Sequence, residues 1–524
     1  MAGYHGEWRN CRHSTDLEGA SVITIPNFWP CQSLFCQIRI QPELYKVDDG
    51  QGKKRCRCTP SREKLRKGMA ASLFFLSLVV PLALLLLPLS RSVTVVTHLP
   101  GFHGRLPFHL ETGYVNVDEE TGTELFYYFV KSERSPDTDP VVLWLTGGPG
   151  CSSLIFYEVG PMKFVLAPYN GSLPQVAYNP YSWSKTASII LLDSPVGTGF
   201  SYARDVEGYR DVGDFSFSMH VVTFLNKWFI DHPHYQSNPF FVGGSSYAGM
   251  MTPFIAHHIS QEIEHGKQPR INLKGYLVGN PLTGSDYDRN FRAQYAHGVG
   301  IISDQIYEAA VGNCEGSYIR PRNKPCDMVL NTIEDLISEI DEGYIVGVKC
   351  VWDLLRHRFM LEENAQLSEL SPEQPTINCF AYRYYLSNIW ANDNSTRDAL
   401  GVKHGTIGEF KRCRKSMPYS FDLLSSIEYH FNLTIRGYRA LVFSGDHDLV
   451  IPFLGTHAWI RSFNFSIVDD WRAWHLGGQA GGFTITYANH LTFATLKGGG
   501  HSAIEYRPRE SLAMAQRWLD NKPL

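Results

Sequence analysis

Short runs of apolar residues recur along the chain from residue 141 onward, and each run ends in a loop rich in glycine. The runs lack the polar–apolar alternation of a sheet with one face in water. Helical patterns follow two of the runs, at 247–264 and 508–520. This arrangement predicts an α/β fold whose mostly parallel central sheet is covered on both faces. The six predicted strands are VVLWL at 141–145, SIILL at 188–192, PFFV at 239–242, LKGYLV at 273–278, ALVF at 440–443 and LTFATL at 491–496.

The stretch at about 285–435 interrupts this pattern with polar helices, several cysteines and an acidic segment. We interpret it as an inserted, mainly helical cap over the sheet. Within it, residues 361–376 are predicted to form an exposed loop, which is where proteases cut. Ligands of parallel α/β sheets bind beyond the carboxyl ends of the strands, so the glycine-rich loops there are candidates for a functional site.

The first 92 residues differ from the rest. Residues 1–68 hold five cysteines and a basic run but no period that predicts a helix or strand, and we interpret them as an atypical extension absent from the mature protein. Residues 69–92 contain an apolar run with a basic flank and a polar exit, the pattern of a secretory signal. Met69 is then the predicted start. The alternative is a signal anchor, since the run could just span a bilayer, so membrane attachment is expected only if 70–89 stays uncleaved.

Composition agrees with a large secreted domain at 93–524. The chain has 524 residues, is 44% hydrophobic and carries a net charge of −4, so nothing in its balance indicates nucleic-acid binding. An even number of cysteines remains after the signal, which predicts disulfides but leaves their pairing open. These are Cys151, Cys314, Cys326, Cys350, Cys379 and Cys413. The predicted glycosylation sites are Asn170, Asn394, Asn432 and Asn464.

Two adjacent serines in FFVGGSSYAGMM are candidate nucleophiles. In a nucleophile elbow, the residues two before and two after the serine must be small, because the turn brings them almost into contact. Ser245 has Tyr247 two positions later, which would clash. Ser246 has Gly244 before it and Ala248 after it, and both fit. Ser246 is therefore the predicted nucleophile.

A serine nucleophile needs a base and a carboxylate that orients the base. Asp446 and Asp448 follow the strand ALVF, and His501 follows LTFATL, which is the chain order of an α/β-hydrolase. Spacing alone does not choose between the two aspartates. The backbone N–H of Tyr247 and one from TGGPG at 146–150 are the predicted oxyanion donors. No metal site or phosphate loop is recognisable, and we expect no cofactor.

Together these features resemble the serine carboxypeptidase family of α/β-hydrolases, from about residue 97 to the C terminus. The resemblance implies Ser246, Asp448 and His501 as the triad and Gly148 and Tyr247 as the oxyanion donors. It also implies the disulfides Cys151–Cys413, Cys314–Cys326 and Cys350–Cys379. The matching motifs are GGPGCSS at 147–153, DSPVGTGFSYA at 193–203, SYAG at 246–249, GNP at 279–281, SGDHD at 444–448 and GGGHSAIEYRPRES at 498–511.

The substrate pocket implied by this resemblance contains Trp144, Thr146, Gly147, Glu158 and Ser245. Carboxypeptidases of the family bind the substrate's terminal carboxylate with an asparagine in NGGPG and a glutamate in GESYAG. This chain has Thr146 and Ser245 at those positions. We therefore expect weaker recognition of a free peptide C terminus.

The remaining sequence is similar to the plant acyltransferases of the family, including SYAGM and SGDHD followed by Ile451-Pro-Phe. The expected reaction moves an acyl group from a 1-O-β-acyl glucose donor to an alcohol acceptor, in the vacuole or outside the cell. The first alternative is a carboxypeptidase that acts on a peptide C terminus. A hydroxynitrile lyase is less favoured because that branch of the family has an insertion after the serine, and a non-catalytic binding protein is disfavoured by the intact triad. The sequence does not indicate an oligomeric state.

Overall fold

The computed structural model describes residues 93–350, 375–414 and 416–524. The chain divides into two compact units after Ser90. The predicted extension at 1–68 and the signal sequence at 69–92 lie outside the described residues, as does the predicted loop at 361–376 up to residue 374. Within the described part of the chain, no helix is long and apolar enough to cross a membrane.

A single 11-stranded sheet organises the described domain, in the order β1-β2-β3-β7-β4-β8-β9-β10-β13-β12-β11. The six inner strands, from β7 to β13, run parallel and are the six predicted from the sequence. Antiparallel strands flank them on both sides. The strands are β1 (Thr94–Val96), β2 (Leu110–Asp118), β3 (Thr123–Val130), β4 (Val141–Leu145), β5 (Met162–Phe164), β6 (Val176–Tyr178), β7 (Ser188–Leu192), β8 (Phe240–Ser245), β9 (Leu273–Gly279), β10 (Arg439–Gly445), β11 (Ile467–Leu476), β12 (Gln479–Tyr487) and β13 (Leu491–Leu496).

Strand β8 runs to Ser245, three residues beyond its predicted end. Gly243 and Gly244 continue the pairing with β4, opposite Trp144 and Leu145. A Cβ on Gly243 would lie 2.7 Å from the ring of Trp144. The two glycines are therefore strand residues that let an indole pack against the backbone, rather than the start of a loop.

Helices cover both faces of the sheet. One face packs around Trp144 and Trp183, and the other packs around Trp228 and Trp459. The predicted helices at 247–264 and 508–520 correspond to α2 (Ala248–Glu264) and α12 (Pro508–Leu519). The α-helices are α1 (Asp214–Asp231), α2 (Ala248–Glu264), α3 (Tyr287–Asn290), α4 (Arg292–Gly298), α5 (Asp304–Cys314), α6 (Lys324–Ile337), α7 (Tyr382–Asn392), α8 (Asn394–Ala399), α9 (Ile427–Ile435), α10 (Phe453–Ser462), α11 (Ala503–Tyr506) and α12 (Pro508–Leu519).

The described part of the insertion between β9 and β10 is helical, as predicted, and its last helix packs on the sheet. Helix α9 buries His430 and Leu433 in the core on one face of the sheet. The Nδ1 of His430 lies 2.9 Å from the hydroxyl of Tyr276 in β9. The bounds of about 285–435 for the inserted cap stay a prediction.

The described residues contain three disulfides, with the pairing that the family resemblance implies: Cys151–Cys413, Cys314–Cys326 and Cys350–Cys379. The first joins residues 262 positions apart and ties the loop after β4 to the segment that precedes α9. Disulfides of this kind persist in oxidising compartments, which agrees with a secretory route.

The predicted glycosylation sites differ in exposure. Asn170, Asn394 and Asn464 are exposed, so each side chain is accessible to solvent. Asn432 is half-buried within α9, and Thr434 of its sequon is buried. Glycosylation at all four positions stays a prediction.

Candidate active site

Ser246 occupies a strained turn between β8 and α2. Its φ is 57°, in the left-handed region that non-glycine residues seldom adopt. Backbone hydrogen bonds to the segment after β9 hold the turn. The N–H of Ser246 donates to the Gly279 carbonyl at 2.9 Å, and the Ser246 carbonyl accepts from the N–H of Leu282 at 2.9 Å. A Cβ on Gly244 would lie 2.5 Å from that of Ala248. This is the close approach that the sequence argument for Ser246 requires.

The structure brings together the three residues predicted as a triad. The Nε2 of His501 lies 2.8 Å from the Oγ of Ser246, and its Nδ1 lies 2.8 Å from Oδ2 of Asp448. The nucleophile, the base and the orienting carboxylate therefore form one chain of hydrogen bonds. This geometry allows His501 to accept the hydroxyl proton of Ser246 while Asp448 stabilises the resulting imidazolium.

The structure also separates the two candidate aspartates. The Oδ1 of Asp446 accepts from the N–H of Gly498 at 2.6 Å and lies 2.6 Å from Nδ1 of the neighbouring His447. Its partners are therefore loop residues rather than His501. Asp448 is fully buried and faces His501. Burial alone would lower the pKa of His501, but the charge of Asp448 and its hydrogen bond outweigh that effect and raise it.

Asn280 is a further functional residue, to which the sequence analysis assigned no role. Its amide donates to Oδ2 of Asp448 at 2.8 Å, the same oxygen that faces His501, while the N–H of Val450 donates to Oδ1 at 2.8 Å. Asn280 has a φ of 44°, a conformation that asparagine tolerates better than most residues. The sequence signal for Asn280 is the GNP motif, which directly follows an apolar strand.

We expect Asn280→Gly to lower kcat about 10- to 100-fold with little change in KM. Glycine accepts the positive φ, so the loss reports the hydrogen bond to a charged group rather than backbone strain. Steady-state kinetics measure both parameters. The matched control is Asn272→Gly, at the entrance to the same strand, where the side-chain amide donates, within the described residues, to the Ser237 carbonyl. Equal losses in the two variants would contradict a positioning role for Asn280.

The loop after β4 lies against the nucleophile. A Cβ on Gly147 would come within 2.7 Å of the Cβ of Ser246 and of the backbone N of Tyr247. Among the described residues, the backbone N–H groups of Gly148 and Tyr247 have no protein acceptor. Both N–H groups thus remain available for an oxyanion, which is the role predicted for them.

The predicted substrate-pocket residues converge on Glu158. Its Oε2 accepts from the indole N–H of Trp144 at 2.5 Å and from the hydroxyl of Thr146 at 3.4 Å. Its Oε1 accepts from the hydroxyl of Ser245, beside the nucleophile. Ser153 supports Thr146, because its hydroxyl accepts from the Thr146 backbone N–H at 3.1 Å. Glu158, Thr146 and Ser245 are all buried, so this pocket holds one carboxylate surrounded by three donors.

The chain is similar to known proteins over most of its length. Residues 100–521 match the family described as serine carboxypeptidase. Serine carboxypeptidase-like 7 of Arabidopsis thaliana is 46% identical over 86% of this chain and 99% of its own length. Serine carboxypeptidase-like 9 of the same plant is 44% identical over 86% of this chain and its full length.

One solved structure shares the fold over most of the described domain. Kex1(delta)p, a prohormone-processing carboxypeptidase from Saccharomyces cerevisiae, has a TM-score of 0.60 at 20% identity. The alignment covers 79% of this chain and 91% of that protein. The predicted α/β-hydrolase fold is confirmed.

Proposed function

Because this chain belongs to the serine carboxypeptidase family, we propose that it is an acyltransferase of that family. The donor is a 1-O-β-acyl glucose of an aromatic acid, and the acceptor is an alcohol. Ser246, His501 and Asp448 carry the reaction, with Gly148 and Tyr247 as oxyanion donors. The three disulfides support a site of action in the secretory pathway, and we propose the vacuole or the extracellular space.

The observation that carries this proposal is the hydrogen bonding of Glu158. Here Ser245 donates its hydroxyl proton to Glu158, and Thr146 lies 3.4 Å from it, in place of the longer glutamate and asparagine with which carboxypeptidases of the family bind a terminal carboxylate. A 1-O-acyl glucose has no terminal carboxylate, so its binding does not need that longer pair of side chains.

The geometry permits a balanced two-step transfer. In the first step, Ser246 attacks the ester carbonyl, and His501 takes the hydroxyl proton and passes it to the departing glucose oxygen. In the second step, His501 removes the proton of the acceptor hydroxyl, whose oxygen attacks the acyl carbon. The Ser246 oxygen leaves with the proton held by His501, which restores the free enzyme and releases the new ester.

A carboxypeptidase is the second candidate. The hydrogen bond between Trp144 and Glu158 favours it, because both residues belong to the pocket that carboxypeptidases of the family use for the terminal carboxylate. In that reaction the same acyl-serine forms from a peptide bond, and water replaces the alcohol as the acceptor.

A substrate panel separates the two candidates. The chain expressed from Met69 in a plant secretory system would be given glucose esters of hydroxycinnamic and benzoic acids with several alcohols, and separately a blocked dipeptide with a free C terminus. We expect a new ester and an equal amount of free glucose, with slow or no dipeptide cleavage. Rapid dipeptide cleavage without ester formation would overturn the proposal. Ser246→Ala controls for contaminating activities.

Restoring the family's carboxylate-binding pair should raise peptidase activity. We expect Thr146→Asn combined with Ser245→Glu to increase kcat/KM on the blocked dipeptide about tenfold or more at acid pH, since a lost buried hydrogen bond costs about 1–3 kcal/mol. The gain should fade as the pH rises, because the introduced carboxyl must share a proton with Glu158 to accept a substrate carboxylate. The matched control is Thr146→Asn with Ser245→Gln, which has similar shape but cannot titrate. If neither variant gains peptidase activity, residues other than 146 and 245 determine the specificity.

A further inference from the structure

A cavity of about 410 Å³ lies outside the triad, between strand β5, the turn after β4 and helix α7. Its size falls in the range of small-molecule sites, about 300–1,000 Å³. None of the triad residues lines it, and neither do Thr146, Ser245 and Glu158, although Tyr157 directly precedes Glu158. Its lining residues are Phe156, Tyr157, Lys163, Phe164, Val165, Leu166 and Arg383.

Three of the seven lining residues of this cavity are aromatic. Phe156 and Phe164 stack with ring centroids 4.2 Å apart, and Trp390 of α7 holds the edge of Phe156 at 4.7 Å. The hydroxyl of Tyr157 is engaged with Ser387, and the side chain is almost fully buried, so Tyr157 offers no donor to the cavity. The cavity therefore presents flat apolar surfaces that suit an aromatic ring.

The polar groups of the cavity are two cations. Lys163 is exposed and has no acidic partner among the described residues. Arg383 stacks over Phe380 at 4.2 Å, and its carboxylate neighbour in the described chain is Glu505, 3.5 Å away. That distance is long for a hydrogen bond, so the N–H groups of Arg383 stay available to a ligand.

Glu505 offsets the charge of Arg383 only in part. Burial raises the pKa of Glu505, and this effect exceeds the opposing influence of Arg383 and Arg412. One of its carboxyl oxygens is buried without a hydrogen-bond partner within the described residues. The cavity as a whole keeps an excess of positive charge.

We propose that this cavity binds an aryl carboxylate, with the ring against Phe156 and Phe164 and the carboxylate between Lys163 and Arg383. The planar guanidinium of Arg383 can donate two parallel hydrogen bonds to a carboxylate, which suits this group better than a lone ammonium would. The apolar part of the wall disfavours inorganic phosphate, which would leave it unfilled. The site is separate from the proposed acyl transfer and does not depend on it.

The test is equilibrium binding of cinnamate by isothermal titration calorimetry to the full wild-type protein. We expect one cinnamate per chain, weaker binding at high salt, and much weaker binding of the uncharged cinnamyl alcohol. Lys163→Gln and Arg383→Gln should each weaken binding about fivefold or more. Lys324→Gln, which removes an exposed lysine of α6, is the matched control and should leave binding within about twofold.

Protein whose Ser246 carries a serine-directed phosphonylating reagent should still bind cinnamate with unchanged affinity. Loss of binding in that protein would place the ligand in the catalytic pocket and overturn the proposal. Equal binding of cinnamyl alcohol or inorganic phosphate would overturn it too, as would a Lys163→Gln variant indistinguishable from Lys324→Gln. Lys163 is exposed, so its variant gives an answer even if Arg383→Gln fails to fold.

Discussion

We expect Ser246→Ala to lower kcat/KM on the acyl glucose by about 10⁴- to 10⁶-fold. The hydroxyl oxygen of Ser246 is the atom that accepts the acyl group, and His501 already lies 2.8 Å from it. Without that oxygen the covalent route is closed, and only oxyanion stabilisation and substrate binding remain. Circular dichroism and thermal unfolding would show that the variant is folded.

The neighbouring serine provides the control. Ser245→Ala removes a hydrogen bond to Glu158 but leaves the triad in place, so we expect a loss of about tenfold rather than thousands. A serine-directed reagent should label the wild-type protein and Ser245→Ala but not Ser246→Ala. Labelling that survives in Ser246→Ala would show that another serine is the nucleophile.

The second large effect is expected for Asp448→Asn, which should lower kcat about 10⁴-fold. The amide can keep the shape of the site, but it removes the charge that stabilises the imidazolium of His501 and can hold the wrong tautomer. The charge of Asp448 raises the pKa of His501. His501 must be neutral to act as a base. Loss of the Asp448 charge should therefore also move the acid limb of the kcat/KM profile to lower pH.

Asp446→Asn is the matched control for this second prediction, two residues away in the same loop. Asp446 binds Gly498 and His447 rather than His501, so we expect a modest loss of activity and an acid limb that stays in place. The measurement is a pH series of kcat/KM for the three proteins. An Asp446 variant that loses activity as completely as the Asp448 variant would contradict the assignment.

The inner sheet could be predicted because its strands are buried on both faces. Each is a continuous apolar run with a glycine-rich loop at its end, and these two signals need no partner strand to be recognised. The same signals placed Ser246, Asp448 and His501 at the ends of strands. Because these strands are parallel, their carboxyl ends lie at one edge of the sheet. Family resemblance added the choice of Asp448 and the disulfide pairing, neither of which spacing could provide.

The β11 edge of the sheet escaped prediction for a physical reason. Strand β11 is largely exposed, so its residues carry no continuous apolar run. Its hairpin turn, Gly477-Gly478, has positive φ at both residues and was the local signal that could have indicated it. Asn280 escaped for another reason, because its role lies in a contact with Asp448, 168 positions later in the sequence.

The most direct test of the account is the mass of the intact protein, quenched within milliseconds to seconds of mixing with an acyl glucose in the absence of any alcohol acceptor. The account predicts a mass increase equal to the acyl group, mapped by peptide sequencing to Ser246, and its disappearance with ester formation when the alcohol is added. Ester formed at full rate by Ser246→Ala, or an acyl group on another residue that turns over at the catalytic rate, would contradict it.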